Sequence, residues 1–224
     1  MNQIKHKILM ISKALHSRNL LAAADGNISF RQSDEEIWIT PTGQTKAFIS
    51  EGELAKINIK NEVLFGKPSS ERLMHLEIYK KCHQAKAVVH AHPPTAIAWS
   101  LAFPKLKELP YHSLPEAILA AGIIPIVEYA RPGTEAMGKN LGPYLPEHRL
   151  LILARHGAVC WGEDLDEAYR GLERVEHVCQ ILKSAHELRL SREAELDQDT
   201  DLELSKDEIL ALFELRKEIG PKIL

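Results

Sequence analysis

The run Ala87-Val88-Val89-His90-Ala91-His92, closed by Pro93-Pro94, constrains this chain more than any other segment. Its β-branched residues favour a strand, and two consecutive prolines end it. Residues i and i+2 of a strand point to the same face, so His90 and His92 project together. A buried strand with two parallel imidazoles at its end needs a sheet on either side of it. It also needs something polar to meet the rings. A second apolar run, Leu150-Leu151-Ile152-Leu153-Ala154, leads through Arg155-His156-Gly157 into a further strand, Ala158 to Trp161.

Helical spacing supplies the covering layers. Ile4, Ile8, Ile11 and Leu15 repeat every three to four residues and predict an amphipathic helix over 3–18. Short strands are predicted at 28–31, 37–40 and 63–65, each bounded by Gly, Pro or Asn signals. Ser50 with Glu53 is a capping box for a short helix. Ser69-Ser70-Glu71 opens a helix running to about Cys82. Helices are also predicted at 95–101, 115–121, 134–141, from Asp164 to about Leu190, and at 205–219. Strands and helices alternate irregularly, and neither a GxGxxG nor a GxxxxGK[ST] motif is present. The expected class is α/β, three layers (α/β/α) around a central mixed, largely antiparallel sheet. Residues 1–190 form the expected catalytic domain. Residues 191–224 are read as an acidic linker over 191–208, then a terminal helix packing on the same domain or a neighbouring subunit.

Composition narrows the function classes. With 28 Lys and Arg against 31 Asp and Glu, the net charge is -3, which offers no global attraction to nucleic acid or to a membrane surface. The longest uncharged apolar stretch, 117–127, is broken by Gly122 and Pro125. It falls well short of the roughly 18–20 residues that cross a bilayer. The N-terminal residues lack the pattern of a secretory signal. Cys82, Cys160 and Cys179 are odd in number and widely spaced, as in a reducing compartment. A cytoplasmic protein is expected.

The histidine pair is the sharpest chemical signal. Two strand-borne imidazoles at this spacing can grip one metal ion, and His156, following a core strand, is the best third donor. Three nitrogens and an open position describe a catalytic rather than a structural zinc site. A lone HxH is also compatible with a merely polar strand end. The remaining histidines, His75 among them, fall on helical or loop segments and read mostly as surface or capping residues; His112 follows Pro110 in a loop.

Three polar turns precede the histidine strand: Gly26-Asn27, Thr42-Gly43 and Ser69-Ser70. Each offers unobstructed backbone N–H groups and a side-chain donor, and together they can cradle a phosphate. Singly, each is equally an ordinary turn or N-cap. Glu71 follows directly. It reads either as a carboxylate favoured by the helix dipole or as a displaceable metal ligand that then carries a proton.

Taken together, Asp25-Gly26-Asn27-Ile28-Ser29, Pro41-Thr42-Gly43, Pro68-Ser69-Ser70-Glu71, His90-Ala91-His92 and Arg155-His156-Gly157 resemble the class II aldolase/adducin family. In order and separation they are closest to its bacterial L-fuculose-1-phosphate aldolases. The resemblance implies one Zn²⁺ per subunit, held by His90, His92 and His156, with Glu71 as fourth ligand. It implies Gly26, Asn27, Thr42, Gly43, Ser69 and Ser70 as the phosphate-holding residues. It implies a homotetramer with active sites between subunits and a small phosphorylated sugar as substrate, in carbohydrate metabolism such as pentose catabolism. The implied reaction is aldehyde-lyase cleavage of a ketose 1-phosphate to dihydroxyacetone phosphate and an aldehyde through an enediolate.

Two positions depart from the aldolases that the chain resembles. Glu116 stands where they carry a tyrosine, and Ile219 matches a second tyrosine near the C-terminus. Tyr111 is close enough in sequence to substitute. Glu116 is similar to the acidic residue of pentulose-phosphate 4-epimerases and methylthioribulose-1-phosphate dehydratases, which makes it a second acid/base candidate. Retention of all three histidines and Glu71 argues against an adducin-like assembly module without catalysis.

Overall fold

The computed structural model of the chain describes residues 2–190 and 203–224. Its order is α1 (Asn2–Ser17), β1 (Asn27–Ser33), β2 (Glu36–Ile39), β3 (Ala55–Ile57), β4 (Val63–Phe65), α2 (Arg72–Lys81), β5 (Ala87–Ala91), α3 (Pro94–Ala102), α4 (Pro115–Ala120), β6 (Ile126–Val127), α5 (Glu135–Lys139), β7 (Leu150–Leu153), β8 (Gly157–Gly162), α6 (Leu165–Leu190) and α7 (Lys206–Ile219). The strands form one eight-stranded sheet in the order β4-β3-β2-β1-β5-β8-β7-β6. All neighbours are antiparallel except β6 and β7. The sheet is therefore mixed and largely antiparallel, as expected.

Alternation along the central strand separates two cores. Ala87, Val89 and Ala91 of β5 face a cluster with Ile8 and Leu15 of α1 and Leu172 and Val175 of α6. Val88 faces the other way, against Met74 and Ile78 of α2 and Leu151 and Val159 of the neighbouring strands. Strands buried on both faces read as continuous apolar runs, which is why β5 and β7 are so easily recognised in the sequence. His90 shares the α2 side with Val88, so α2 is the helix that meets the metal-binding candidates.

Several local expectations hold in detail. Asp164 Oδ1 accepts from the Glu167 backbone N–H at 2.7 Å and so caps α6. The Ser50 N–H and hydroxyl both donate to the Glu53 carboxylate, at 2.7 and 2.9 Å, around a single 3₁₀ turn over Glu51–Glu53. Ser205 Oγ accepts from the Glu208 N–H at 3.2 Å at the start of α7. Residues 191–202 of the expected linker lie outside the described residues. Beyond them, α7 lies against α4, with an Arg216 Nη1 hydrogen bond to the Leu119 carbonyl at 2.5 Å.

Some boundaries move. The helix after Ser69-Ser70 begins at Arg72, leaving Glu71 at its cap. His92 stands one residue beyond β5, its N–H bonded to the Leu20 carbonyl at 2.8 Å. Two strands are added to those predicted: β3, only three residues long, and β6, a two-residue strand inside the apolar stretch after α4. Among the described residues, no helix is long and apolar enough to cross a membrane. All three cysteines are buried and unpaired.

Candidate active site

Register brings the site together. His90 pairs with Asn27 of β1 on one side and with Val159 of β8 on the other. The turn before β8 thereby returns His156 to the end of β5. Two glycines make this approach possible. A Cβ on Gly157 would stand 2.4 Å from the Ala91 carbonyl oxygen and 3.0 Å from ring atoms of both His90 and His92. A Cβ on Gly26 would meet Leu21 at 2.2 Å and the His90 carbonyl at 2.7 Å, and its φ of +67° disfavours any L side chain. Arg155, at φ +64°, turns the chain just before His156, and its N–H is held by Ser100 Oγ at 2.9 Å.

The three imidazoles converge as the histidine spacing predicts. Their ring centroids lie 4.8 to 5.0 Å apart. One nitrogen from each falls within 4.8 Å of those of the others. Glu71 closes the group: its Oε2 is 3.3 Å from His90 Nε2 and its Oε1 is 3.1 Å from His156 Nε2.

Surrounding acceptors set the tautomers. His90 Nδ1 donates to the Ala158 carbonyl at 2.8 Å, and His92 Nδ1 lies 3.2 Å from Asp25 Oδ2. Both contacts place the ring proton on Nδ1 and leave the Nε2 lone pair facing the centre. Metal-ligating histidines are held in this way. His156 Nε2 is buried without a hydrogen-bond partner of its own. The inward Nε2 lone pairs of His90 and His92, with the buried His156 Nε2 and the Glu71 carboxylate beside them, make a donor set that fits a divalent cation.

The electrostatics agree. Burial opposes ionisation of Glu71, but His156, His90 and the Asn27 amide outweigh it and hold the carboxyl well below the usual carboxylate range. His92 is pushed down to about 4, by burial first and then by the neighbouring imidazoles, against the pull of Asp25 and Glu71. A neutral His92 beside an ionised Glu71 has the protonation states that coordination requires.

A cleft of about 230 Å³ opens in front of this group. His92, His156 and Glu71 line it together with Gly26, Asn27, Thr42, Gly43, Ser69 and Ser70, and Asp25 is also on its lining. The 41–43 and 68–70 turns are tied together: the Thr42 N–H bonds the Lys67 carbonyl at 3.2 Å, and the Ser69 N–H bonds the Thr40 carbonyl at 3.1 Å. Every proposed anion-holding residue thus shares one cleft with the metal-binding candidates.

Three residues in and around the site were given no role from the sequence. Lys46 also lines the cleft, though it is 3% exposed. Its ammonium donates to the Ala24 carbonyl at 2.6 Å and to the Gln44 carbonyl at 2.8 Å. Burial lowers its pKa, and Asp25 and Glu71 pull it back up. Asp25 was part of the motif string without a role of its own. His75, expected among the surface histidines, is instead fully buried on α2. Its helix packs against the sheet, so the ring points inward.

Tyr111 and Glu116 do not line this cleft within one chain. The Tyr111 ring meets Phe213 of α7 at 5.5 Å, edge to face, and Glu116 is exposed in the first turn of α4.

Fold and site together define a metal-dependent lyase. The chain belongs to the class II aldolase/adducin family: the Class II Aldolase and Adducin N-terminal domain matches residues 6–182. It is 32% identical over 175 residues to the L-fuculose phosphate aldolase of Methanococcus maripaludis, covering 78% of this chain and 93% of that one. It is 30% identical over 185 residues to the 3-oxo-tetronate 4-phosphate decarboxylase of Escherichia coli, covering 80% and 85%. Among solved structures, the L-fuculose-1-phosphate aldolase of Thermus thermophilus superposes with a TM-score of 0.77 at 28% identity, covering 88% and 100%. YgbL of Escherichia coli, described as a candidate aldolase/epimerase/decarboxylase, gives 0.82 at 26% identity, covering 94% and 98%.

Proposed function

We propose that this enzyme cleaves the C3–C4 bond, one carbon removed from the C2 ketone, of a short ketose 1-phosphate of the L-fuculose type, releasing dihydroxyacetone phosphate and an aldehyde. The observation that carries the reading is the division of one cleft into two walls. His92, His156 and Glu71, with His90 buried behind them, form one wall, and a set of small-residue turns rich in N–H and hydroxyl donors forms the other.

When bound by His90, His92 and His156, a divalent cation, here proposed as one Zn²⁺ per subunit, supplies Lewis-acid polarisation of the carbonyl. The chain's own groups do the rest. Thr42, Ser69 and Ser70 offer hydroxyls and, with Gly43, backbone N–H groups to the phosphate, and Lys46 adds positive charge behind them. Binding the phosphate at one end positions the reacting carbons at the other. Glu71, held ionised between two imidazoles, is the group suited to move a proton at C3. As the C3–C4 bond breaks, its electron pair passes into the enediolate. Glu71 takes up a proton from solvent in the substrate complex and gives it to C3, and in the synthetic direction the carboxylate removes it. The proton leaving the C4 hydroxyl needs its own acceptor. Tyr111 and Glu116 are proposed for that task, presented across the interface of a homotetramer.

A second reading has a specific observation behind it. Among the residues lining the cleft of one chain there is no tyrosine, and the carboxylate present besides Glu71, that of Asp25, is turned to His92 Nδ1 at 3.2 Å. Decarboxylation of a 3-oxo acid phosphate breaks the bond to the carboxylate, releases CO₂ and leaves the same kind of enediolate, and it needs no such acceptor. The relative named 3-oxo-tetronate 4-phosphate decarboxylase points the same way. Dehydration of methylthioribulose 1-phosphate or 4-epimerisation of a pentulose phosphate would instead use Glu116 to carry the proton.

The test is product analysis with zinc-loaded protein. Dihydroxyacetone phosphate plus aldehyde from L-fuculose 1-phosphate or ribulose 1-phosphate supports the aldolase. Dihydroxyacetone phosphate plus CO₂ from 3-oxo-tetronate 4-phosphate alone supports the decarboxylase. Water loss or epimerisation without carbon–carbon cleavage overturns both.

A further inference from the structure

Behind Glu71 runs a buried chain of side chains in which every hydrogen-bond direction can be deduced. Two periodicities meet to build it. Asn27 and Ser29 share one face of β1 at spacing two, and Glu71, His75 and Tyr79 share one face of the α2 segment at spacing four. Asn27, Ser29, His75 and Tyr79 are all buried.

The deduction starts at Glu71, which as a carboxylate only accepts. Asn27 Nδ2 donates to Glu71 Oε2 at 2.7 Å, so the amide oxygen must face the other way. That oxygen meets His75 Nε2 at 2.5 Å. A carbonyl oxygen can only accept, so His75 carries its proton on Nε2. His75 Nδ1 then has a lone pair and accepts from the Ser29 hydroxyl at 2.7 Å. Ser29 has spent its hydrogen, so the Tyr79 hydroxyl, 2.7 Å away, donates to it. Complete burial keeps the imidazole neutral, at a pKa of about 3, as this arrangement requires.

We propose that His75 is a positioning residue: it locks the Asn27 amide with both N–H groups towards the cleft, and through that amide it holds Glu71 as an oriented proton acceptor. The oriented unit is Tyr79→Ser29→His75→Asn27→Glu71, each arrow a donated hydrogen bond. Without the His75 donor, the Asn27 amide is free to flip. A flipped amide would present its oxygen to the Glu71 carboxylate and withdraw its second N–H from the phosphate side. The catalytic consequence rests on the proton-carrying role of Glu71 proposed above. The hydrogen-bond directions do not.

The test has two arms. In zinc-loaded protein labelled with ¹⁵N-histidine, the ring-nitrogen shifts of His75 report its tautomer. A proton on Nε2 with Nδ1 bare is expected, and a proton on Nδ1 overturns the proposal. This arm needs no substrate, so it decides the matter even if lyase activity is never found. In the second arm, His75→Gln places an amide donor near the Nε2 position, and His75→Leu places none. Losing one buried directional donor should lower kcat of the Leu variant by about 10- to 100-fold. Its zinc content should stay unchanged, and the Gln variant should keep most of the turnover. Wild-type turnover in the Leu variant, or equal loss in both, overturns the proposal. If neither variant folds, the tautomer measurement alone decides.

Discussion

Gly157 packs against Ala91 so closely that a single added methyl would stand 2.4 Å from the Ala91 carbonyl oxygen. This contact is what lets the turn carrying His156 close on the strand carrying His90 and His92. Gly157→Ala should push β8 away from the end of β5. A loss of about 1–3 kcal/mol in unfolding free energy is expected from overpacking. Zinc content should fall well below that of the wild type, measured by elemental analysis beside a denaturation curve. Full zinc content in a stable Gly157→Ala protein would show that the approach is not needed.

Asp25 acts on the metal site through His92. Its carboxylate, 3.2 Å from Nδ1, turns the opposite nitrogen inward. Asp25→Ala should weaken zinc binding by about 10- to 100-fold while leaving all three imidazoles in place. Competition against a chromophoric chelator measures this directly. An unchanged affinity would remove Asp25 from the site.

Lys46 joins the Ala24 and Gln44 carbonyls beneath the cleft. Lys46→Met keeps the aliphatic stem and deletes the charge and both bonds. Weaker anion binding is expected, with inorganic phosphate inhibiting about tenfold less strongly. One charge-assisted interaction of roughly 1.5 kcal/mol corresponds to that factor. Equal phosphate inhibition in both proteins would assign Lys46 to folding alone.

His75 gives the metal-free chain a pH signature. Its folded pKa, about 3, lies below the ordinary 6.5 because burial opposes its charge. Below pH 6.5 the unfolded chain takes up a proton that the folded chain refuses. The associated stability is therefore complete above pH 6.5 and is lost as pH falls from 6.5 towards 3. The slope approaches about 1.4 kcal/mol per pH unit. His92, also depressed, acts in the same direction. Urea unfolding of the chelated protein across this window should show about one proton less uptake in His75→Gln than in the wild type. Identical slopes would contradict the buried neutral state.

The parts of the candidate site that were legible in the sequence are those with a fixed geometric rule. His90 and His92 follow from strand alternation. Thr42-Gly43 and Ser69-Ser70 are marked by turn chemistry, although the cap of α2 falls at Glu71, and the sheet class follows from the doubly buried runs of β5 and β7. Lys46, Asp25 and His75 were not legible because their roles depend on burial by distant segments. A lysine in a polar turn and a histidine on a weakly periodic helix look solvated until the partner elements are placed. The strands β3 and β6 were too short to show a period. Tyr111 and Glu116 were picked out by departure from a family pattern, and in one chain they lie apart from the cleft.

The account stands on three nitrogens binding a single cation. The most direct measurement is zinc stoichiometry after chelation and reloading, for the wild type and for His92→Ala. One zinc per chain in the wild type and almost none in a folded variant is the predicted result. Undiminished zinc in His92→Ala, or no zinc taken up by the wild type, would contradict it.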